Sequence, residues 1–188
     1  MARDRPRPGR RPRPGASEAI ETERLWLRPY EAGDRDHIVA LYADPEVTAY
    51  TKLGRRTAEE AERILAGYVA DWERLGLGMR AMFLKPARAY VGEFGLFVHR
   101  QAGAMALRYA LATDYWGRGL ATEAARATLE DAFGAKGLAR VVSVVQTVNV
   151  ASLRIMEGLG FEVERRTMDG AAEIIFYSLS RAQWRRSR

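Results

Sequence analysis

The sequence predicts a mixed α/β fold, a central sheet with helices layered on it. Three observations carry that prediction. Residues 139–147, ARVVSVVQT, form a β-branched run of the length of a buried strand. Residues 58–75 set Ile64, Leu65, Tyr68, Val69 and Trp72 on one helical face, behind a capping box from Thr57 to Glu60. Strand-like and helix-like segments then follow one another as β α α β β β α β α β β.

Each element has its own signal. ETERLWLRPY alternates Leu25 and Leu27 with Arg24, Trp26 and Arg28, a half-buried strand that Pro29 ends. Asp34 sits where an N-cap is needed for RDHIVALYA, with Ile38, Leu41 and Tyr42 on one face, and Asp44-Pro45 stops that helix. The second helix runs from the capping box to Leu75, closed by Gly76 and Gly78. Three strands are expected at Met79–Leu84, Tyr90–Arg100 and Met105–Ala112, parted by the KPARA and QAGA turns. A helix from Gly119 to Phe133 presents Leu120, Ala124, Thr128, Ala132 and Phe133 along one face. After the β-branched run, Asn149 can cap a short helix, Ala151–Leu159, that Gly160 terminates. Phe161–Met168 and Ala172–Ser180 flank Asp169-Gly170, a hairpin signal.

Length and composition narrow the function. A chain of 188 residues suits one domain, expected at 17–188. Residues 1–16 alternate Arg and Pro with Gly and are expected to form a disordered tail, because such residues bury no core. No apolar stretch reaches the ~18 residues of a membrane span, and no apolar region follows the basic start, so a membrane or secretory role is not expected. The chain has no cysteine, which excludes disulfides, thiolate metal sites and an acyl-cysteine intermediate, and fits a cytoplasmic protein. His37 and His99 stand far apart without metal-ligand spacing, so no metal is expected. The net charge of +6 sits at the ends: six Arg against one Asp in residues 1–15, four Arg in residues 181–188, and a net −3 over residues 16–180. A basic nucleic-acid groove across the folded body is therefore not indicated, while RNA or ribosome contact through the tail stays open.

One stretch, YWGRGLATEAARATLEDAF, asks for chemistry. Two glycines one residue apart open directly into a helix, which bares backbone N–H groups at the positive end of the helix dipole, and Arg118 adds charge. That suits a phosphate. Gly117-Arg118-Gly119 lacks the third glycine and the downstream acid of a dinucleotide fingerprint, and the Gly-Lys-Ser/Thr of a P-loop. By itself the turn can also be a plain β–α connection.

Residues 106–123, ALRYALATDYWGRGLATE, closely resemble the acyl-CoA-binding strand, loop and helix of the GNAT family of N-acetyltransferases. The family's loop signature, Gln/Arg-x-x-Gly-x-Gly/Ala, is met here by Trp116-Gly117-Arg118-Gly119-Leu120-Ala121, with Trp116 in the first place. That replacement resembles the RimJ/RimL branch, which acetylates ribosomal-protein N-termini. ETERLWLRPYEAGDRDHIVALYADPEV resembles the branch's opening strand and helix, and NVASLRIMEGLGFEVE its Asn-x-x-Ser…Gly-Phe segment, with Asn149, Ser152, Gly160 and Phe161 in place. The likeness covers about residues 21–180.

The resemblance implies a GNAT fold: a mixed sheet of about six to seven strands, splayed between strands 4 and 5, with about four flanking helices. It implies acetyl-CoA as co-substrate. The acyl-pantetheine would pair with backbone around Leu111, Ala112 and Thr113. Its pyrophosphate would rest on N–H groups from Gly117 to Thr122, through Arg118, Gly119, Leu120 and Ala121. A backbone N–H near Phe94–Leu96 would face the oxyanion. The acceptor would be a primary amine, most simply a protein N-terminus, with an antibiotic-like or polyamine acceptor, or an acyl-CoA sensor without transfer, as alternatives. A homodimer stays open. Many family members place a Tyr seven residues after the Asn; this chain has Met156, which donates no useful proton. The branch's proposed acid corresponds to Ser152, beside Asn149. The fourth strand commonly carries the base, which points to Glu93, and Ala106 closes the branch's other acidic route. Tyr30, Tyr50 or Tyr109 could line the acceptor pocket, whereas Trp26, Trp72 and Trp184 are expected to pack.

Overall fold

The computed structural model of the chain describes residues 18–50 and 54–187. The expected tail therefore lies outside the described residues, apart from which every segment below is seen. Its strands are β1 (Ile20–Glu21), β2 (Leu25–Pro29), β3 (Met79–Leu84), β4 (Ala89–His99), β5 (Ala104–Leu111), β6 (Arg140–Gln146), β7 (Glu162–Asp169) and β8 (Ala172–Ser180). Its helices are α1 (Arg35–Ala43), α2 (Pro45–Thr48), α3 (Ala58–Leu75), α4 (Leu120–Phe133), α5 (Val150–Gly158) and α6 (Arg181–Arg186). The strands form one sheet in the order β1-β2-β3-β4-β5-β6-β8-β7.

The sheet has one more strand than expected because the first segment folds on itself. Thr22 donates its N–H to Leu25 O at 2.9 Å, so β1 turns back to pair antiparallel with β2. Two short helices are also added. Asp44-Pro45 ends α1 as expected, but Pro45 then opens α2, whose N-terminus the Asp44 carboxylate caps through Glu46 and Val47 N–H. Ser180 and Gln183 form a capping box that starts α6. Asp34 departs from its expected role. Its carboxylate takes Arg28 Nη1 and Nη2 at 2.7 and 2.6 Å and the Glu31 N–H at 2.8 Å, and makes no cap bond to α1.

Both faces of the sheet are covered. Tyr30, Ile38, Tyr42, Leu65, Tyr68 and Phe83 close one core under α1 and α3. On the other face Leu107, Leu111, Leu129, Phe133, Met156 and Trp184 belong to a larger core under α4, α5 and α6. The amphipathic stripe of α4 predicted from the sequence is fully buried there. Burial of these side chains contributes on the order of 1.5–3 kcal/mol each for the large aliphatics and aromatics.

One strand junction is weak. β4 and β5 pair antiparallel along eight residues each, and β6 and β8 along seven. Between them β5 and β6 run parallel and pair only at Ala106↔Val142. The sheet therefore splays beyond that point, between the fourth and fifth strands once β1 and β2 are taken as the single strand expected. The helix that follows β5 starts at the mouth of the splay. Glu93 lies on β4, one strand removed from it, which corrects the expectation that its strand borders the opening.

Candidate active site

The splay leaves β5 with an unpaired edge. Ala112 donates its N–H to Val91 O at 3.0 Å, so even-numbered residues of β5 turn their backbone groups to β4. Alternation turns those of Tyr109 and the N–H of Leu111 into the splay. The expected stretch Leu111–Thr113 is thus less free than the sequence implied. Trp116 Nε1 donates to Leu111 O at 2.7 Å. Tyr115 and Trp116 N–H donate to the carbonyls of Ala112 and Thr113 at 3.0 and 3.1 Å. The edge open to a ligand begins one turn of the pleat earlier, at Tyr109. The oxyanion donor expected near Phe94–Leu96 also changes place: β4 pairs on both sides, and Leu96 N–H donates to Gly78 O at 3.2 Å.

Beyond β5 the chain makes the glycine turn. Gly117 and Gly119 have φ of 69° and 73°, a left-handed backbone that costs a side-chain-bearing residue about 1–2 kcal/mol. Gly119 is the N-cap of α4 and no side chain caps that helix. The N–H groups of Leu120, Ala121 and Thr122 therefore point out of its first turn without an intrahelical partner. Arg118 is exposed, and its guanidinium lies 5.4 Å from the centre of the Tyr115 ring. This arrangement fits an anion such as the pyrophosphate of coenzyme A: bare donors, a helix dipole and one mobile cation.

The turn is held from behind. Arg24 Nε donates to Glu123 Oε2 at 2.6 Å, and Arg24 Nη1 donates to Arg118 O at 2.9 Å. Glu123 also accepts from Arg24 N–H at 2.9 Å and from the Thr22 hydroxyl. Burial pushes the Glu123 carboxyl up, but the bonds from Thr22 and Arg24 outweigh it and hold it below the usual range. Glu123 thus fastens the β1–β2 turn to the first turn of α4.

Across the splay stands α5. Asn149 caps it, accepting the Ser152 N–H at 3.1 Å. Ser152 is half-buried, and its Oγ accepts the phenolic O–H of Tyr109 at 2.9 Å. Tyr109 comes from β5, where its ring stacks on Phe94 at 5.0 Å and 1°. Met156, at the position where the family resemblance leads one to expect a tyrosine, is fully buried in the core. Sequence spacing pointed to Ser152 and Asn149; it gave no sign that a tyrosine 43 residues earlier meets the serine.

Glu93 occupies a different setting from the one expected of a base. A register shift between β3 and β4 leaves Tyr90 and Glu93 on one face although they stand three residues apart. The Glu93 carboxylate is fully buried. Tyr42 donates to it at 2.7 Å, Tyr68 at 3.3 Å and Tyr30 at 3.4 Å, while Tyr90 bonds Tyr30 at 2.7 Å. Arg108 on β5 donates Nη2 to Tyr42 Oη at 2.6 Å and brings Nε to 3.9 Å from Glu93. Burial raises the Glu93 pKa above the usual carboxylate value, against the pull of Arg108 and the three phenols. Sealed in this way, the carboxylate does not touch an amine in the splay. Arg108, one-third exposed, and Tyr90, partly exposed, are the members of the cluster that reach solvent.

The remaining candidates sort themselves by burial. Tyr30 is 1% exposed, whereas Tyr50 is exposed. Trp72 donates to Met79 O at 2.7 Å and Trp184 packs on Phe133, as expected of structural residues. Trp26 is half-buried beneath the Arg28 and Arg88 guanidiniums. His37 stacks on Tyr90 and His99 packs on Phe97 and Phe176. Among the described residues no group of three or more acidic or imidazole side chains could hold a metal ion.

Comparison with known proteins agrees with this geometry. The family model described as acetyltransferase (GNAT) domain matches residues 24–162. An uncharacterized N-acetyltransferase, p20 of Bacillus licheniformis, is 28% identical over 149 residues, covering 78% of this chain and 84% of p20. The FsC-acetyl coenzyme A-N(2)-transacetylase of Aspergillus fumigatus is 26% identical over 187 residues, 91% of this chain and 80% of that one. Among solved structures, the ribosomal L7/L12 α-N-protein acetyltransferase RimL in complex with coenzyme A superposes with a TM-score of 0.75 at 15% identity, covering 86% of this chain and 97% of RimL, a likeness of fold.

Proposed function

The chain belongs to the GNAT family of acetyltransferases and is an acetyl-CoA-dependent N-acyltransferase, and from that premise we propose that its acceptor is the α-amine of a protein or peptide N-terminus. In this reading it is a member of the RimJ/RimL branch that works in the cytoplasm, where such termini emerge. The observation that carries the reading is the sealing of Glu93. With that carboxylate buried among phenols, amine deprotonation passes to water. An α-amine with a pKa near ~8 is about one-tenth neutral at pH 7, while a lysine near ~10.4 is almost wholly charged. A site of this kind therefore favours the less basic amine.

In this reading the N–H groups from Gly117 to Thr122, with Arg118, hold the pyrophosphate, and the free edge of β5 at Tyr109 and Leu111 pairs with the pantetheine arm. Acetyl-CoA supplies a thioester whose carbonyl carbon takes the amine nitrogen and whose sulfur departs with the electron pair. Ser152 holds the proton for that sulfur. Asn149 fixes the first turn of α5 and with it the serine. Glu93 holds Tyr42 and Arg108 in place beside β5, acting on the acceptor side through them.

Thiol release from acetyl-CoA, followed with a thiol-reactive dye, tests the proposal, and the absence of cysteine makes every new thiol coenzyme A. Peptides beginning with free Ser or Ala should support turnover near pH 7, and N-blocked lysine peptides and polyamines should not. Turnover confined to polyamines or N-blocked lysine would overturn the proposal. A second reading, a small-molecule amine as acceptor, draws on the likeness to the Aspergillus transacetylase across 91% of the chain. Turnover with small amines alone would select it.

A further inference from the structure

The proton donor in the splay is a serine, and a serine hydroxyl is a rotor. Unless a second group fixes it, its hydrogen points toward the sulfur only part of the time. The structure supplies such a group. Tyr109 Oη lies 2.9 Å from Ser152 Oγ, with the phenol as donor. The tyrosine ring is stacked parallel on Phe94 at 5.0 Å, and its backbone sits on the edge of β5 that borders the splay. Met156, which fills the helix position that could have carried a phenol, is fully buried and offers no proton. We infer that Tyr109 is a positioning residue for the transfer, its O–H occupying one lone pair of Ser152 Oγ and so turning the serine's own hydrogen toward the departing sulfur. The inference rests on the reading of Ser152 as proton donor.

The step balances without any further reactant. The amine nitrogen bonds to the carbonyl carbon and the C–S bond breaks. Sulfur keeps the electron pair and takes the Ser152 Oγ proton. The surplus proton of the acylated nitrogen returns to Ser152 through water. Tyr109 keeps its proton throughout, and burial raises its pKa above that of a free phenol, which keeps it a donor across the working pH range. The bond from Tyr109 shortens as charge grows on the serine oxygen, so its contribution is largest in the transition state.

Four full-length proteins test this: wild type, Tyr109→Phe, Ser152→Ala and the double variant, assayed by thiol release with the best peptide acceptor. Tyr109→Phe keeps the ring and its stack on Phe94 while deleting the donor. It should lower kcat about tenfold, the size of one hydrogen bond to a charging oxygen. The KM for acetyl-CoA and the Tm should stay at wild-type values, and the substitution should cause no further loss in the Ser152→Ala background. A wild-type kcat in Tyr109→Phe, beside a slow Ser152→Ala, overturns this inference and leaves the serine acid standing. Losses that multiply in the double variant also overturn it, since Tyr109 would then act apart from Ser152. A fall in acetyl-CoA binding or Tm in Tyr109→Phe would make the tyrosine structural. A wild-type kcat in Ser152→Ala overturns the serine acid itself, and this inference with it.

Discussion

Ser152 and Glu93 show how differently one residue can be read from spacing and from space. The Asn-x-x-Ser pattern located Ser152 because both residues lie in one helical turn, where sequence distance is spatial distance. Its substitution by Ala should lower kcat by about 100-fold, the low end for general acid catalysis because a thiolate is already a fair leaving group. Acetyl-CoA affinity, measured by calorimetry, should hardly move. Glu93 was legible as a strand carboxylate but not as a sealed one, because its three phenolic partners come from Tyr30, Tyr42 and Tyr68, on segments distant in sequence. Its raised pKa has a consequence for stability. A carboxyl whose folded pKa exceeds its unfolded value stabilises the fold while protonated, below the unfolded pKa, and loses that contribution as pH climbs through the folded pKa. Glu93→Gln removes this titration. The Tm difference between Glu93→Gln and wild type should therefore shift in favour of the variant as pH rises from about 4 to about 8, checked by thermal melts in matched buffers. A flat difference would mean that Arg108 and the phenols offset the desolvation completely.

The elements were legible wherever a local rule decides them. The capping box of α3, the apolar stripe of α4, the β-branched β6 and the β7–β8 hairpin all stand within a residue or two of their predicted bounds. What the pattern did not carry was long-range fastening, and the turn into α4 is the clearest case. Its two glycines announce a left-handed turn, but the clamp behind it joins Arg24 to Glu123 across 99 residues. Glu123→Ala should cost about 1 kcal/mol, because the part-buried Thr22 hydroxyl loses its acceptor while Arg24, 44% exposed, recovers its bonds from water, and chemical denaturation would measure that loss. It should also weaken acetyl-CoA binding while leaving Ser152 in place, since Arg24 would no longer hold Arg118 O. The depressed pKa of Glu123 sets the sign of its pH effect: its contribution is present above the unfolded carboxylate pKa and is lost as pH falls through the folded value. Glu123→Gln should accordingly show less acid-induced loss of stability than wild type. Gly119→Ala acts on the same element from the other side, placing a side chain on a backbone at φ 73° and its Cβ 3.6 Å from Arg24 Nη2.

At the scale of the molecule, the sheet is a continuous scaffold with one deliberate break. Among the described residues strand pairing runs from β1 to β5 and from β6 through β8 to β7, and the interior junction that stops at Ala106↔Val142 is where the sheet opens. The edge of β5 and Ser152 on α5 meet there through Tyr109, and under the proposed function the glycine turn joins them, so that motifs scattered over residues 106–161 form one site. Under the proposed function the acceptor side carries Arg108 and no exposed carboxylate base, and this has a measurable signature. If water takes the amine's proton, the pH dependence of kcat/KM must report the acceptor and not the enzyme. With an α-amine peptide, kcat/KM should rise tenfold per pH unit below the amine's pKa and level off near ~8. Where a lysine side chain can be forced to react at high concentration, the rise should continue toward ~10, because the titrating group has changed while the protein has not. A plateau at one pH for both acceptors would instead assign the ionisation to the protein and restore a base to the site, with the Glu93–Tyr42–Arg108 cluster as the place to look for it.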